Sequence, residues 1–136
     1  MQRPIVHSKI MLGRIASEAT QNDAHIAADL VDTLEANLER CVGMAANMIG
    51  ENKRIIAVRD GNRTLLMYNP EILEQRMPYE TEEGCLSLDG TRSATRYRKI
   101  KLRFLDQDFV CRTQAFSGFT AQIIQHEVDH CNGVII

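Results

Sequence analysis

His126-Glu127-Val128-Asp129-His130 places two histidines four residues apart, with a glutamate directly after the first. In an α-helix, residues i and i+4 lie on one face about one turn apart, so both imidazoles can reach one ion. Glu127, displaced by roughly a third of a turn, can reach a water beside that ion. The pattern predicts a helix that supplies two metal ligands and a general base. The alternative is a helix with two surface histidines.

Length and composition predict one domain, residues 1–136, of ordinary globular type. The formal net charge of −2 argues against binding nucleic acid or membranes as the main activity. The chain shows neither an apolar run of membrane-spanning length nor a basic and apolar leader, so we expect a cytoplasmic protein. The four cysteines form no CxxC pair, which disfavours a disulfide framework. Cys111 and Cys131 are interpreted as packing residues.

Hydrophobic periodicity predicts an α+β domain: one long N-terminal helix, then short antiparallel strands packed around a central, metal-binding C-terminal helix. The first helix is expected over residues 22–41, with His25 as a solvated or capping residue. A hairpin is expected from strands 54–59 and 63–69 around Asp60-Gly61-Asn62, ended by Pro70. Further strands are predicted at 92–98, 100–105 and 109–115, and Asn132-Gly133 ends the last helix.

A third metal ligand is needed, because a catalytic site of the zinc type has three protein ligands and one open position. Candidates are His7, His25, the cysteines and many carboxylates. Cys85, in Glu83-Gly84-Cys85-Leu86-Ser87, stands beside a glycine that allows its sulfur to be presented without crowding. A buried structural cysteine remains the alternative for this residue.

Three stretches together resemble the peptide deformylase family over essentially the whole chain. Glu83-Gly84-Cys85-Leu86-Ser87 and His126-Glu127-Val128-Asp129-His130 match that family's second and third motifs, EGCLS and HExDH, position for position. The stretch Cys41 to Met48 resembles the first motif, GxGxAAxQ. The chain is similar to a divergent member of this family or to a deformylase-like paralogue.

The resemblance implies that Cys85, His126 and His130 bind one divalent metal, typically iron, with zinc, nickel or cobalt as substitutes. It also implies a metallohydrolase that removes the N-formyl group from formylmethionyl nascent peptides and releases formate. The attacking species is metal-bound water, Glu127 is the general acid/base, and the backbone N–H of Leu86 helps to hold the oxyanion.

Further residues are expected to support the ligands or to bind the substrate. Glu83 and Asp129 are expected to support the ligands, with Arg96 paired to one of them; simple surface pairing is the alternative. The candidate substrate-binding residues are Gly43, Met44, Met48, Ile123 and Arg92. For Met44 and Ile123, ordinary core packing would use the same residue types.

Three departures from the family pattern bear on whether this chain is an active enzyme. Cys41 replaces the first glycine of the first motif, and Met48 replaces its glutamine, whose amide helps to stabilise the oxyanion. A thioether donates no hydrogen bond, and losing one such donor typically costs on the order of 10²–10³ in rate. Asn47 carries an amide beside this position and is a candidate substitute. The third departure is Asp89-Gly90 where proline is common, and the sequence continues for only six residues after His130. Many bacterial members dock on the ribosome through a C-terminal helix, so we do not expect ribosome association by that route.

Two functions of different class follow. An active deformylase is favoured by the complete ligand set and by Glu127, because a pure binding protein needs no general base. A metal-binding paralogue with weak or no activity, serving a binding or regulatory role, is favoured by Met48. A zinc protease is disfavoured, because Cys85 within EGCLS is not a protease feature.

Overall fold

One antiparallel sheet forms the frame of the molecule. In the computed structural model, which describes residues 1–136, its strands are β1 (Gly43–Ala45), β2 (Ile55–Asp60), β3 (Arg63–Cys85), β4 (Leu88–Leu105) and β5 (Cys111–Ser117). They lie in the sheet in chain order, and every neighbouring pair is antiparallel. The predicted combination of an antiparallel sheet with separate helices is confirmed.

The helices are α1 (Lys9–Leu12), α2 (Ala24–Ala36) and α3 (Gly118–Cys131), with 3-10 turns at Gln21–Asp23 and Ala46–Ile49. The helix predicted over 22–41 is therefore shorter at both ends. Its start is a 3-10 turn in which the backbone N–H of Thr20 donates to Asp23 Oδ2 at 2.8 Å. It ends where Asn37, at φ −119°, turns its side-chain amide back onto the Thr33 carbonyl at 2.7 Å. None of the helices is long and apolar enough to cross a membrane.

The prediction of short strands was wrong for the central hairpin, since β3 alone has 23 residues. Pro70 does not end it, because this proline lies at a register shift between the pairs Tyr68↔Leu105 and Glu71↔Arg103. At such an irregularity the ladder does not require the N–H that proline lacks. The segments predicted separately at 92–98 and 100–105 are both part of β4, so one long ribbon carries Cys85 at its tip.

Alternate residues of β2 point into two cores on opposite faces of the sheet. Ile55 and Ala57 belong to the core under α2, and Ile56 and Val58 belong to the core under α3. All four are fully buried, which explains why this strand reads as an unbroken apolar run rather than an alternating one. Each fully buried isoleucine contributes about 1.5–3 kcal/mol relative to an exposed one.

A side chain fixes α3 against the edge of β4. The amide of Gln125 accepts from the backbone N–H of Tyr97 and donates to its carbonyl, both at 2.8 Å. Gln125 thus takes the place of a further strand at this position. Cys131, at the end of α3, is buried as predicted, whereas Cys111 is exposed and does not pack in a core.

Candidate metal centre

Three metal-ligating side chains converge where the tip of β3 meets α3. Cys85 is the last residue of β3, and His126 and His130 stand one turn apart on α3. Their ligand atoms all lie within 4.8 Å of one another. Nε2 of His130 is 3.2 Å from Nε2 of His126 and 3.4 Å from Sγ of Cys85. The three residues favoured as ligands by the sequence are therefore brought to one point.

A chain of charged groups orients His126. Its Nδ1 donates to Glu83 Oε1 at 2.9 Å, so Nε2 is the ring nitrogen that faces the other two ligand atoms. Glu83 also accepts from Arg96, with Nη2 and Oε1 2.7 Å apart, and Arg96 donates to Asp129 Oδ2 at 2.7 Å. Arg96 is only 4% exposed. The expected pairing is thus present with both carboxylates: the Glu83 pair is buried, and the Asp129 pair is half-buried.

The electrostatics of this cluster suit a cation. Burial opposes ionisation of Glu83, but hydrogen bonds from His126 and Arg96 lower its pKa to about 2. Burial, assisted by the charge of His126, lowers the pKa of His130 to about 3, which keeps this imidazole neutral as a ligand must be. For His126 burial is outweighed by hydrogen bonding to Cys85 and Glu83, which raises its pKa to about 10. These surroundings favour positive charge between the ligand atoms, so the residues fit a metal ion.

Glu127 lies beside this cluster and has an unpaired carboxylate oxygen. The residue is 3% exposed, and its Oε1 is buried without a hydrogen-bond partner from the protein. Burial raises its pKa to about 7. A Cβ atom at Gly43 would lie 2.8 Å from Glu127 Oε2 and 2.5 Å from Ile123 Cγ2. Glycine at position 43 therefore provides the space that the carboxylate occupies.

A cleft of about 540 Å³ opens onto Glu127 and the ligand cluster. Ten residues were predicted to have catalytic, metal-binding or substrate-binding roles, and seven of them line it: Gly43, Met48, Cys85, Leu86, Ile123, His126 and Glu127. Of the other three, His130 is fully buried in the ligand cluster, and Met44 and Arg92 lie outside the cleft. Met44 is fully buried in the core under α2. Arg92 lies on β4, with its guanidinium 3.4 Å from the carbonyl of Asp89.

The amide of Asn47 does not substitute for the missing glutamine, because it points away from the cleft. Its Nδ2 donates to the carbonyl of His130 at 2.9 Å and approaches that of Leu12 at 3.5 Å. Met48, which is 1% exposed and packs in the core under α2, lines the cleft but has no side-chain donor. Neighbouring residues of a 3-10 turn face different directions, so the amide of Asn47 cannot contact a substrate in the cleft that Met48 lines.

Gln122 is a cleft residue that sequence reasoning missed. Its Nε2 donates to Glu83 Oε2 at 2.9 Å, and its Oε1 accepts from the hydroxyl of Tyr79 at 3.3 Å. The available signal was its spacing, since Gln122 stands four residues before His126 and therefore on the same helix face. The cleft wall also contains Arg40, Val42 and Phe119, which the sequence did not indicate.

Together, the fold and the cluster define the class of protein: an α+β protein with a Cys-His-His metal site and a carboxylate beside it. The family model described as "Polypeptide deformylase" matches residues 3–136. The chain is 54% identical to the peptide deformylase of Clostridium beijerinckii over 136 residues, which cover 100% of both chains. It is 37% identical to peptide deformylase 1 of Clostridium perfringens, over 90% of this chain and 84% of that one.

The solved structures that superpose well on this chain are also peptide deformylases. The Met-Ala-Ser-bound class I type b peptide deformylase from Acinetobacter baumannii superposes with a TM-score of 0.89 at 29% identity, covering 99% of this chain and 97% of that one. The peptide deformylase from Thermus thermophilus gives a TM-score of 0.88 at 28% identity, covering 99% of this chain and 84% of that one. The chain belongs to the peptide deformylase family of metal-dependent hydrolases. This membership favours the hydrolase over a paralogue without activity.

Proposed function

We propose that this chain hydrolyses the N-formyl group of formylmethionyl peptides and releases formate. One observation carries the proposal: Cys85, His126 and His130 place their ligand atoms within 4.8 Å of one another, and two of them line a single cleft together with Glu127. A relative at 54% identity is a peptide deformylase, and the similar structure from A. baumannii has Met-Ala-Ser bound. Residues 1–136 act as one domain, and the enzyme works in the cytoplasm, where nascent peptides arise.

The metal that we propose is one divalent ion held by Cys85, His126 and His130, with iron as the native ion and zinc, nickel or cobalt as substitutes. A thiolate and two imidazoles are ligands that first-row transition metals accept. When bound, such an ion acts as a Lewis acid and lowers the pKa of a water molecule toward neutrality. Glu83 keeps the ring of His126 in the tautomer and orientation that ligation requires.

Glu127 is the proposed general acid/base. Its carboxylate accepts a proton from the attacking water and later delivers it to the departing amine nitrogen. A new C–O bond forms at the formyl carbon and the C–N bond breaks, giving formate and a free amino terminus. A pKa of about 7 suits a group that must both accept and return a proton near neutral pH.

The cleft walls supply the remaining contacts in this proposal. The backbone N–H of Leu86 stabilises the oxyanion, and no side-chain amide assists it at position 48. Gly43, Met48 and Ile123 contact the peptide, because they line the cleft beside Glu127. Met44 and Arg92, which lie outside it, are not included.

The test is formate release from formyl-Met-Ala-Ser by the iron-loaded protein, with acetyl-Met-Ala-Ser as the matched control peptide. We expect equal amounts of formate and Met-Ala-Ser from the formyl peptide, and much slower cleavage of the acetyl peptide. If metal is bound but neither the wild type nor Met48→Gln releases formate, the chain is instead the metal-binding paralogue without activity.

A further inference from the structure

His7 lies outside the ligand cluster but contacts the turn that carries part of it. Its Nδ1 is 2.9 Å from the carbonyl oxygen of Ser87, 80 residues away in the chain. A carbonyl oxygen only accepts, so the imidazole nitrogen donates. Ser87 is 2% exposed and forms, with Leu86, the two-residue turn that follows Cys85. The N-terminal arm thus holds the turn directly after a metal ligand.

The sheet alone holds this turn incompletely. Cys85 pairs with Leu88, but the next pair is Gly84↔Thr91, so Asp89 and Gly90 have no partner on β3. A register shift of this kind interrupts the ladder and leaves the end of the hairpin weakly determined. Leu88 packs into the core under α2 and fixes the inner side of the turn. His7 fixes its outer side.

The residue before His7 contacts the opposite wall of the cleft. The backbone N–H of Val6 donates to the carbonyl of Met48 at 2.8 Å. Two consecutive residues therefore connect the wall formed by Met48 with the turn formed by Leu86 and Ser87. Bonds from one short segment to both walls keep their separation constant.

We propose that His7 is a positioning residue: its hydrogen bond to Ser87 keeps the Cys85 sulfur within the ligand cluster and the Leu86 N–H directed at the cleft. The first consequence is slower loss of metal, which depends only on the ligand cluster. The second is a higher kcat, and this part rests on the proposed function. Substrate binding is not involved, because His7 does not line the cleft.

The experiment compares His7→Ala, His7→Asn and His25→Ala in the full chain loaded with Co²⁺. Asn places an N–H donor at the same bond distance from the backbone as His Nδ1. His25 is the matched control, because it is also exposed and its Nδ1 contacts a backbone carbonyl, that of Asn22, at 3.1 Å. The measurements are the rate of Co²⁺ release to a chelator, kcat and KM for formyl-Met-Ala-Ser, and the Tm.

The net contribution of one hydrogen bond corresponds to a factor of about five in an equilibrium or rate constant. His7→Ala should therefore release Co²⁺ about fivefold faster than the wild type and have a kcat about fivefold lower, with KM unchanged. His7→Asn should restore both quantities, and His25→Ala should equal the wild type. The proposal is overturned if His7→Ala releases Co²⁺ no faster than His25→Ala, if His7→Asn restores nothing, or if only the Tm falls. If no variant releases formate but Co²⁺ release follows the expected order, the positioning role stands and the proposed function fails.

Discussion

The two walls of the cleft differ in the charged groups that they carry. On the wall formed by α3 and the tip of β3, Glu83 joins His126 to Arg96 through contacts of 2.9 and 2.7 Å. On the wall formed by β1 and the 3-10 turn after it, Met48 has no side-chain donor and Asn47 turns its amide away. Preorganised charge is thus concentrated on the wall that holds the metal ligands. The other wall supplies shape, and its missing donor is the main difference from the family motif.

The largest effect should come from Glu127→Gln, which preserves shape and removes the base. Positioned acid–base groups contribute on the order of 10²–10⁴ in rate, so kcat should fall by that factor. The metal content, measured in parallel, should equal that of the wild type, because Glu127 is not a ligand. Activity within tenfold of the wild type would show that the α3 wall does not supply the base.

Met48→Gln tests the opposite wall, because it introduces the amide donor that the family motif contains. Removing one oxyanion donor typically lowers kcat by a factor on the order of 10²–10³, so adding one should raise kcat by up to about that factor. Met48→Leu, which adds no donor, should show no gain. An unchanged kcat in Met48→Gln would mean that the absence of this amide does not limit the wild type.

Glu83→Gln interrupts the paired network without changing its shape. The variant removes the carboxylate that orients His126 and neutralises Arg96, and loss of such partners typically costs 10–100-fold in metal affinity. We therefore expect about that loss in a competition titration with a chelator. Glu80→Gln is the control, since Glu80 lies on the same strand but bonds only Thr95, at 2.6 Å on the surface. Equal affinities for both variants would contradict the orienting role.

Gly43→Ala tests how closely the two walls approach. The new Cβ would lie 2.5 Å from Ile123 Cγ2, and overpacking of this kind costs about 1–3 kcal/mol in the free energy of unfolding. At Gly84 the same substitution meets only the carbonyl of Gly90, at 3.7 Å, and should cost less than about 0.5 kcal/mol. Urea denaturation of both variants measures the difference. An equal cost would mean that the walls have room to separate.

The sequence predicts the side chains of the wall formed by α3 and the tip of β3 better than those of the opposite wall, because the contacts that place them are more local. His126 and His130 are related by local helical spacing, and Cys85 was recognised through a motif of consecutive residues. The direction of the Asn47 side chain depends on carbonyls of Leu12 and His130, which are distant in the chain. No local pattern contains such contacts.

The same distinction applies to the fold. The apolar run of β2 and the turn after it were recognised, because their signals are local. Pro70 locally predicts the end of a strand, although a register shift allows β3 to continue to Cys85. Register depends on the partner strand, so the length of the ribbon, and the placement of Arg92 outside the cleft, could not be read from composition.

Titration of the metal-free protein with Fe²⁺, with formate release from formyl-Met-Ala-Ser measured at each step, tests the central claim most directly. We predict that the rate rises in proportion to bound iron and saturates at one ion per chain, while Cys85→Ala remains inactive throughout. A wild-type protein that binds one ion per chain and releases no formate would contradict the account.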